Sequence, residues 1–332
     1  MADYPNSHRQ PVFVLGASGF IGSALVSALA RSPRWQPVPV SRRQGGPGSI
    51  TADATDPASM RTILSEGVTV VNCIAGSNRT MQHATDVLCS VARQLPPRRI
   101  IHLSSMAVYG SATGTVRENT APVPPLSAYG RAKCDAERTI LRYVDGGGDA
   151  AILRPSCVFG PGSVQWTTRI ARLLTSHRLG DLGSAGDGGC NLVFIDDLIE
   201  TIIHALEAPS IGGRTFNVSN PDIPSWNDFL IRFGIALGAT PIRRIPERAL
   251  RIETKWLAPL RRIAGKRLKH PATEAITPSL AALFAQDIQI DSSAAATVLA
   301  MPATPIARMI ETALRRPVPD PERVPLQQKV NA

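Results

Sequence analysis

Two short stretches carry residue types that can move or hold a proton. In Tyr129-Gly-Arg-Ala-Lys133 a phenol and an ammonium stand at i and i+4, on one face of a helix. A phenol titrates near 10, too high for proton transfer at neutral pH, and a cation held beside it lowers that value. In Ser104-Ser105-Met-Ala-Val-Tyr-Gly110 two hydroxyls follow the apolar run 100–103, and a serine there can hydrogen-bond a substrate hydroxyl or carbonyl. A third stretch suits a phosphate: Gly16-Ala-Ser18-Gly19-Phe20-Ile21-Gly22 follows the apolar run 12–15. Gly16 permits a tight turn, Gly19 lets backbone N–H groups approach a pyrophosphate at a helix N-terminus, and Gly22 lets that helix pack close to a sheet. A dinucleotide site holds the ribose hydroxyls with a carboxylate about 20 residues further on. Ser41-Arg42-Arg43 stand there instead. No carboxylate repels a 2′-phosphate and two guanidiniums can pair with one, so NADP is favoured over NAD; the competing reading is a pair of solvated loop arginines.

These stretches need a scaffold that ends several strands at one edge. Apolar runs rich in β-branched residues at 12–15, 38–40, 68–74, 100–103 and 150–153, with a short one at 49–52, alternate with helical periods at 20–31, 57–66, 81–94 and 128–143. That alternation predicts an α/β fold with a doubly wound parallel sheet, whose C-terminal strand ends converge on a ligand crevice. After residue 155 the alternation weakens. Helices are expected at 164–176, 195–207, 225–237, 278–285 and 305–315, with a short strand at 214–218. The pattern reads as a nucleotide-binding domain over 11–155, to which later segments add strands and helices. A smaller, mostly helical substrate lobe follows over 156–316, and 1–10 and 317–332 read as flexible ends.

Composition narrows the function classes. The chain has 332 residues, 43% of them hydrophobic, without a run of roughly 18 apolar residues or an apolar N-terminal segment, which favours a cytoplasmic protein. Five cysteines (Cys73, Cys89, Cys134, Cys157, Cys190) are odd in number and show no C-x-x-C pair, and six histidines show no ligand spacing. Neither a disulfide framework nor a metal site is indicated. The net charge is +10, and ten Lys/Arg against Glu247 and Glu253 put +8 of it within 241–270. Nucleic acid is disfavoured as the partner, because Phe, Trp and Tyr together make up 5% of the chain and no reader motif accompanies the charge.

Taken in order, the motifs resemble the extended short-chain dehydrogenase/reductase family in its NAD(P)-dependent epimerase/dehydratase branch. The resemblance runs to about residue 311 through the glycine motif at 16–22, Asp53 between Ala52 and Ala54, and Ile74-Ala75-Gly76. It continues through 104–110, 129–133, Leu153-Arg-Pro155-Ser-Cys-Val-Phe-Gly-Pro-Gly162, Phe194-Ile-Asp-Asp-Leu198 and Phe216-Asn-Val-Ser219. It implies a Rossmann-type sheet, Tyr129 as acid/base, Lys133 on the nicotinamide ribose, and Ser105 orienting the substrate oxygen. Ser105 rather than Ser104 is chosen because it stands four residues before the Tyr of Val-Tyr-Gly. The implied cofactor lining is Gly16, Ser18, Gly19, Phe20, Ile21, Gly22, Ser41, Arg42, Arg43, Asp53 (at the adenine), Ala54, Ile74, Ala75, Gly76 and Pro155 (over the nicotinamide).

Departures from the family pattern narrow the reaction. Sugar dehydratases follow the catalytic hydroxyl with Asp-Glu, whereas Met106-Ala107 offer no proton-transfer group, so dehydration is disfavoured, as is decarboxylation. Epimerisation or carbonyl reduction at a carbinol or ketone carbon of a nucleotide- or phosphate-linked sugar is the favoured activity. Reduction of a non-sugar ketone is the alternative, and an NADP(H)-binding regulator or assembly subunit is a rival of another class. Many nucleotide-sugar members carry Arg-Asp where this chain has Cys190-Asn191, which removes a usual diphosphate anchor. A homodimer through helices flanking the sheet is expected by analogy. For 241–270 three readings stay open: a solvated helix face, a phosphate-binding wall, or peripheral docking on an anionic membrane surface. Ala249, Ile252, Trp256, Leu260 and Ile263 keep helical spacing there, interrupted by Pro259.

Overall fold

The computed structural model describes residues 9–42, 46, 48–64, 68–95, 99–121, 123–257 and 276–315. Its strands are β1 Gln10–Leu15, β2 Trp35–Ser41, β3 Ile50–Thr51, β4 Thr69–Asn72, β5 Arg99–Leu103, β6 Gly114–Val116, β7 Ala150–Pro155, β8 Cys157–Phe159, β9 Leu192–Phe194, β10 Thr215–Val218 and β11 Ile288–Ile290. Its helices are α1 Phe20–Ala30, α2 Pro57–Ile63, α3 Asn78–Ala92, α4 Ala128–Asp145, α5 Arg169–Thr175, α6 Ile195–Glu207, α7 Trp226–Ala236, α8 Glu247–Ile252, α9 Pro278–Ala285, α10 Ser293–Val298 and α11 Ile306–Arg315. Residues 1–8 and 316–332, most of the two ends read as flexible, lie outside the described residues, as do Arg43 and 258–275. Gln10, placed with the flexible N-terminus by the sequence reading, opens β1.

Seven strands form one sheet in the order β10-β7-β5-β4-β1-β2-β3, every pairing parallel. Both faces are covered, so alternate residues enter different cores. Val12 and Val14 of β1 pack with Leu25 and Leu29 of α1 and Leu198 and Ile202 of α6. Phe13 and Leu15 face Met60 of α2, Val87, Leu88 and Val91 of α3, and Ile140 of α4. This two-sided burial is why the strands read as continuous apolar runs rather than alternating ones. Pro37 and Pro39 are tolerated in β2 because β3 pairs only with Val40 and Ser41, leaving the outer edge of their stretch without a strand partner.

The order reverses beside β1: chain succession runs outward to β2 and β3 on one side and to β4, β5, β7 and β10 on the other. Strand-end loops part at such a reversal and open the ligand crevice. After β7 the chain still returns to the sheet, since β10 pairs with β7 and α6 packs on α1. The remaining segments build a smaller lobe of helices with two short parallel ladders, β6 with β11 and β8 with β9.

Several boundaries differ from the sequence expectation for identifiable reasons. The helix expected at 81–94 starts at Asn78 because the Ser77 hydroxyl accepts from the Thr80 N–H at 3.1 Å. The helix expected at 57–66 stops at Ile63, the strand expected at 68–74 holds only Thr69–Asn72, and the helix expected at 164–176 opens with a π-helical turn, Val164–Thr168. The helical spacing from Ala249 becomes α8 and a π-helical turn, Glu253–Leu257; its continuation to Ile263 falls outside the described residues.

Asn191 fastens the smaller lobe. Its amide donates to the Ile288 carbonyl at 2.8 Å and its Oδ1 accepts from the Ile290 N–H at 2.8 Å, so one buried side chain seats β11. Asn191→Ala leaves both backbone groups buried without that partner, and urea unfolding is expected to show a loss on the order of 2–4 kcal/mol. A loss under about 0.5 kcal/mol, the size of an ordinary surface change, would mean the seat is redundant.

Candidate active site

The glycine motif forms the turn between β1 and α1. Gly16 adopts φ +77°, and a Cβ there would lie 2.8 Å from the Cys73 carbonyl oxygen at the end of neighbouring β4. A Cβ on Gly22 would run into the Gly16 carbonyl oxygen, so both positions exclude larger residues. Gly19 caps α1 without a side-chain hydrogen bond, and no acidic residue sits in the first turn. The open N–H groups and positive end of this helix therefore face the crevice, a cradle suited to a pyrophosphate. Phe20 lies against the loop at Gly162, and Ile74 is half-buried beside the turn with Ala75 and Gly76 exposed.

At the β2 and β3 end, Asp53 accepts from the Thr55 N–H at 2.9 Å and from its hydroxyl at 2.7 Å. Those bonds hold its carboxyl below the usual range, and the Arg42 charge adds to the effect. Arg42 is exposed near Asp53 at the crevice rim, with Ser41 and Ala54 half-buried beside them. Arg43, the second candidate for a 2′-phosphate, lies outside the described residues.

The proton-handling residues converge beyond β5. Ser127 caps α4 by accepting from the Gly130 N–H at 3.0 Å, which puts Tyr129 in the first turn. Ser105 caps the 3-10 turn Met106–Tyr109, its hydroxyl accepting from the Ala107 N–H at 3.2 Å. A Cβ on Gly130 would lie 2.6 Å from the Ala107 carbonyl oxygen. The missing side chain lets α4 rest directly on the Ser105 turn. Ser105 and Cys157 accordingly stand near the Tyr129 hydroxyl, and Tyr129 as a whole is 41% exposed. Lys133 is buried, donates to the Leu103 carbonyl at 2.7 Å, and lies 5.9 Å from the centre of the Tyr129 ring. Ser104 points away into the interior with an unpartnered hydroxyl, and Pro155 is buried at the end of β7.

Burial raises the Tyr129 phenol above its ordinary value, and the nearby Ser105 hydroxyl offsets this only in part. The Lys133 ammonium is held by the Leu103 carbonyl over the Tyr129 ring. Burial pulls Lys133 itself down to about 8.

The sequence reading passed over three residues. Gly130 was signalled by a glycine inside a helical period. Arg154 and Glu137 form a buried pair beside the site, signalled by a charge in an apolar strand and by a carboxylate at i+4 from Lys133.

A parallel sheet with a glycine-lined crevice at its reversal and a Ser–Tyr–Lys set beside it defines an α/β enzyme of the nicotinamide dinucleotide-dependent class. The model of the NAD dependent epimerase/dehydratase family matches residues 12–219, and the chain belongs to that family. It is 34% identical over 152 residues to protein YeeZ of Escherichia coli K12, covering 46% of this chain and 50% of YeeZ. It is 31% identical over 181 residues to the dTDP-6-deoxy-L-talose 4-dehydrogenase (NAD(P)(+)) of Kitasatospora kifunensis, covering 48% of this chain and 55% of that protein. The chain thus spans about half the length of these curated relatives. The UDP-glucuronic acid 4-epimerase of Bacillus cereus, solved with UDP-glucuronic acid and NAD, superposes over 92% of this chain and 98% of its own with a TM-score of 0.69 at 20% identity, a likeness of fold.

Lys133 makes stability depend on pH. Its pKa falls from 10.5 in the open chain to about 8 when folded, so between those values the unfolded chain binds the extra proton and stability rises with pH. Relative to Lys133→Met, the unfolding free energy is expected to gain up to about 3 kcal/mol from pH 8 to pH 10.5. Parallel slopes for the two proteins in urea titrations would show that the ammonium is not desolvated.

Proposed function

We propose that this enzyme is an NADP-preferring oxidoreductase or epimerase acting on a carbinol or ketone carbon of a phosphate-linked sugar. The observation that carries the reading is the placement of Ser105, Tyr129 and Lys133 beside the C-terminal end of β5, two strands from the glycine turn that follows β1. Dihydroxylated, half-open surroundings suit a polar substrate oxygen: Ser105 donates to it and Tyr129 gives or takes its proton. Lys133, whose ammonium reaches its neutral form near pH 8, is the group able to hold a ribose hydroxyl and tune the phenol. Gly16, Ser18, Gly19, Phe20, Ile21 and Gly22 would hold the pyrophosphate and Asp53 and Ala54 the adenosine, with Ile74, Ala75, Gly76 and Pro155 along the remaining length. A bound nicotinamide supplies the hydride acceptor or donor.

Two features support the finer assignment. Arg42 stands where a carboxylate would otherwise exclude a 2′-phosphate. Met106 and Ala107, which follow Ser105, carry no group able to eliminate water, so an oxidised centre keeps its neighbouring hydroxyl. The sugar class draws on the relatives, among them a sugar-nucleotide dehydrogenase and an epimerase solved with UDP-glucuronic acid.

Tyr129→Phe is expected to lower turnover on a sugar-nucleotide panel by roughly two to four orders of magnitude, with NADPH affinity nearly intact. Half the activity retained would refute the acid/base role. Arg42→Ala should weaken NADPH binding by about 1.5–3 kcal/mol and leave NADH little changed in parallel fluorescence titrations. Equal losses for both cofactors would mean that Arg42 does not read the 2′-phosphate.

A further inference from the structure

A buried guanidinium lies behind the candidate site and touches each part that positions it. Arg154 of β7 forks onto Glu137 of α4, Nε to Oε1 at 2.9 Å and Nη2 to Oε2 at 2.8 Å. Its Nη1 donates to the Tyr109 hydroxyl at 3.0 Å and to the Glu118 carbonyl at 3.2 Å. Tyr109 ends the turn that Ser105 begins, and its hydroxyl donates in turn to Oδ1 of Asn217 on β10 at 2.5 Å. The Asn217 N–H is bound by the Glu118 carboxylate at 2.8 Å. The side chains of Arg154 and Glu137 are 14% and 7% exposed, so this fork is shielded from the water and salt that weaken a surface pair.

Glu137 stands two helical turns from Tyr129 on the buried side of α4, and Tyr109 stands one 3-10 turn from Ser105. One planar cation therefore joins the helix that carries the phenol to the turn that carries the serine. We infer that Arg154 is a positioning residue: through Glu137 and Tyr109 it fixes the Ser105 turn against α4 and so sets where the Ser105 hydroxyl stands relative to Tyr129. This rests on the reading of Ser105 and Tyr129 as the proton-handling pair. A bidentate fork suits the task because it fixes orientation as well as distance, which a lysine at the same place would not do. Removing the Tyr109 hydroxyl breaks the arm to the Ser105 turn without changing any charge near Tyr129.

This placement is testable without a substrate by labelling tyrosine at Cζ and recording carbon-13 spectra of the full chain at pH 7.5, with the Tyr129 resonance identified by its loss in Tyr129→Phe. Ser105→Ala is the reference and is expected to shift that resonance. Tyr109→Phe should shift it in the same direction by at least half as much, and Arg154→Lys should do likewise even though the charge is kept. Thermal unfolding of each variant runs in parallel. A lowered Tm in Tyr109→Phe and Arg154→Lys with an unmoved Tyr129 resonance would overturn the inference, leaving the network a structural brace alone. If Ser105→Ala itself leaves the resonance in place, the Ser105 hydroxyl does not reach Tyr129 and the inference falls with it. Should Arg154→Lys not fold, the Tyr109→Phe result decides.

Discussion

A buried ammonium with one backbone carbonyl as its resolved acceptor governs the arrangement of this molecule. Taking an ion of that size out of water carries an effective penalty of several kcal/mol even after relaxation. Lys133 is 5% exposed, and its pKa of about 8 registers that penalty, eased by the negative charge of Glu137. The site keeps the cation because three elements lock it in place. β5 supplies the Leu103 carbonyl, α4 fixes the stem, and Gly130 lets α4 descend onto the Ser105 turn. The same burial keeps His102 neutral, with its pKa pushed down to about 3, and holds the Cys73 thiol protonated, with its pKa up to about 12. In this cluster Lys133 is the group whose charge changes near physiological pH. A structure arranged around such a residue sets aside stability for a group that can switch.

The parts of this arrangement legible in the sequence were those with a local cause. The glycine motif, the i and i+4 spacing of Tyr129 and Lys133, and the two-sided apolar strands each follow from backbone geometry over a few residues. Helices α6 and α9 matched their expected bounds, 195–207 and 278–285, because apolar period and N-terminal signals agree at both ends. The ladders β6–β11 and β8–β9 were not legible: each strand is three residues long, and its partner lies far away in the chain. The same holds for Asp197. Its second-place position in Asp196-Asp197 gives no hint that its carboxylate accepts from the Thr304 N–H at 2.8 Å and the Thr304 hydroxyl at 2.7 Å, tying the chain before α11 to α6. The Arg154 network stayed hidden for the same reason, since its five members come from the Ser105 turn, the stretch after β6, α4, β7 and β10.

The basic segment illustrates how structure redistributes a sequence-level charge. Of the arginines counted there, Arg244 pairs with Asp181 at 2.7 Å and Arg251 with Glu247 at 2.5 Å, while Glu253 answers Arg178 from outside the segment. Pairs this exposed contribute little to stability, but they lower the field that two of these arginines project. Arg243 and Arg248 are exposed as well, and Arg261, Arg262 and the remaining cations to residue 270 lie outside the described residues. In the described part, then, two of the five cations, Arg244 and Arg251, are paired while Arg243, Arg248 and Lys255 are exposed, so the field is lowered rather than cancelled.

That conclusion bears on how a phosphate-linked substrate would be held. Cys190 stands where many nucleotide-sugar members of the family carry an arginine, and it is fully buried, its N–H bound by the Pro224 carbonyl at 2.8 Å. Burial raises its thiol far above the ordinary range, so it offers no charge to a diphosphate. Its neighbour Asn191 is committed to β11, and Gly188 and Gly189 sit so close to the backbone of 284–288 that a side chain at either would displace it. This wall of the lobe is apolar and tightly packed, with Trp226 against Phe284 at 4.9 Å between ring centroids. Cys190 and Asn191 thus offer no cation, and under the proposed function a substrate phosphate would be met elsewhere.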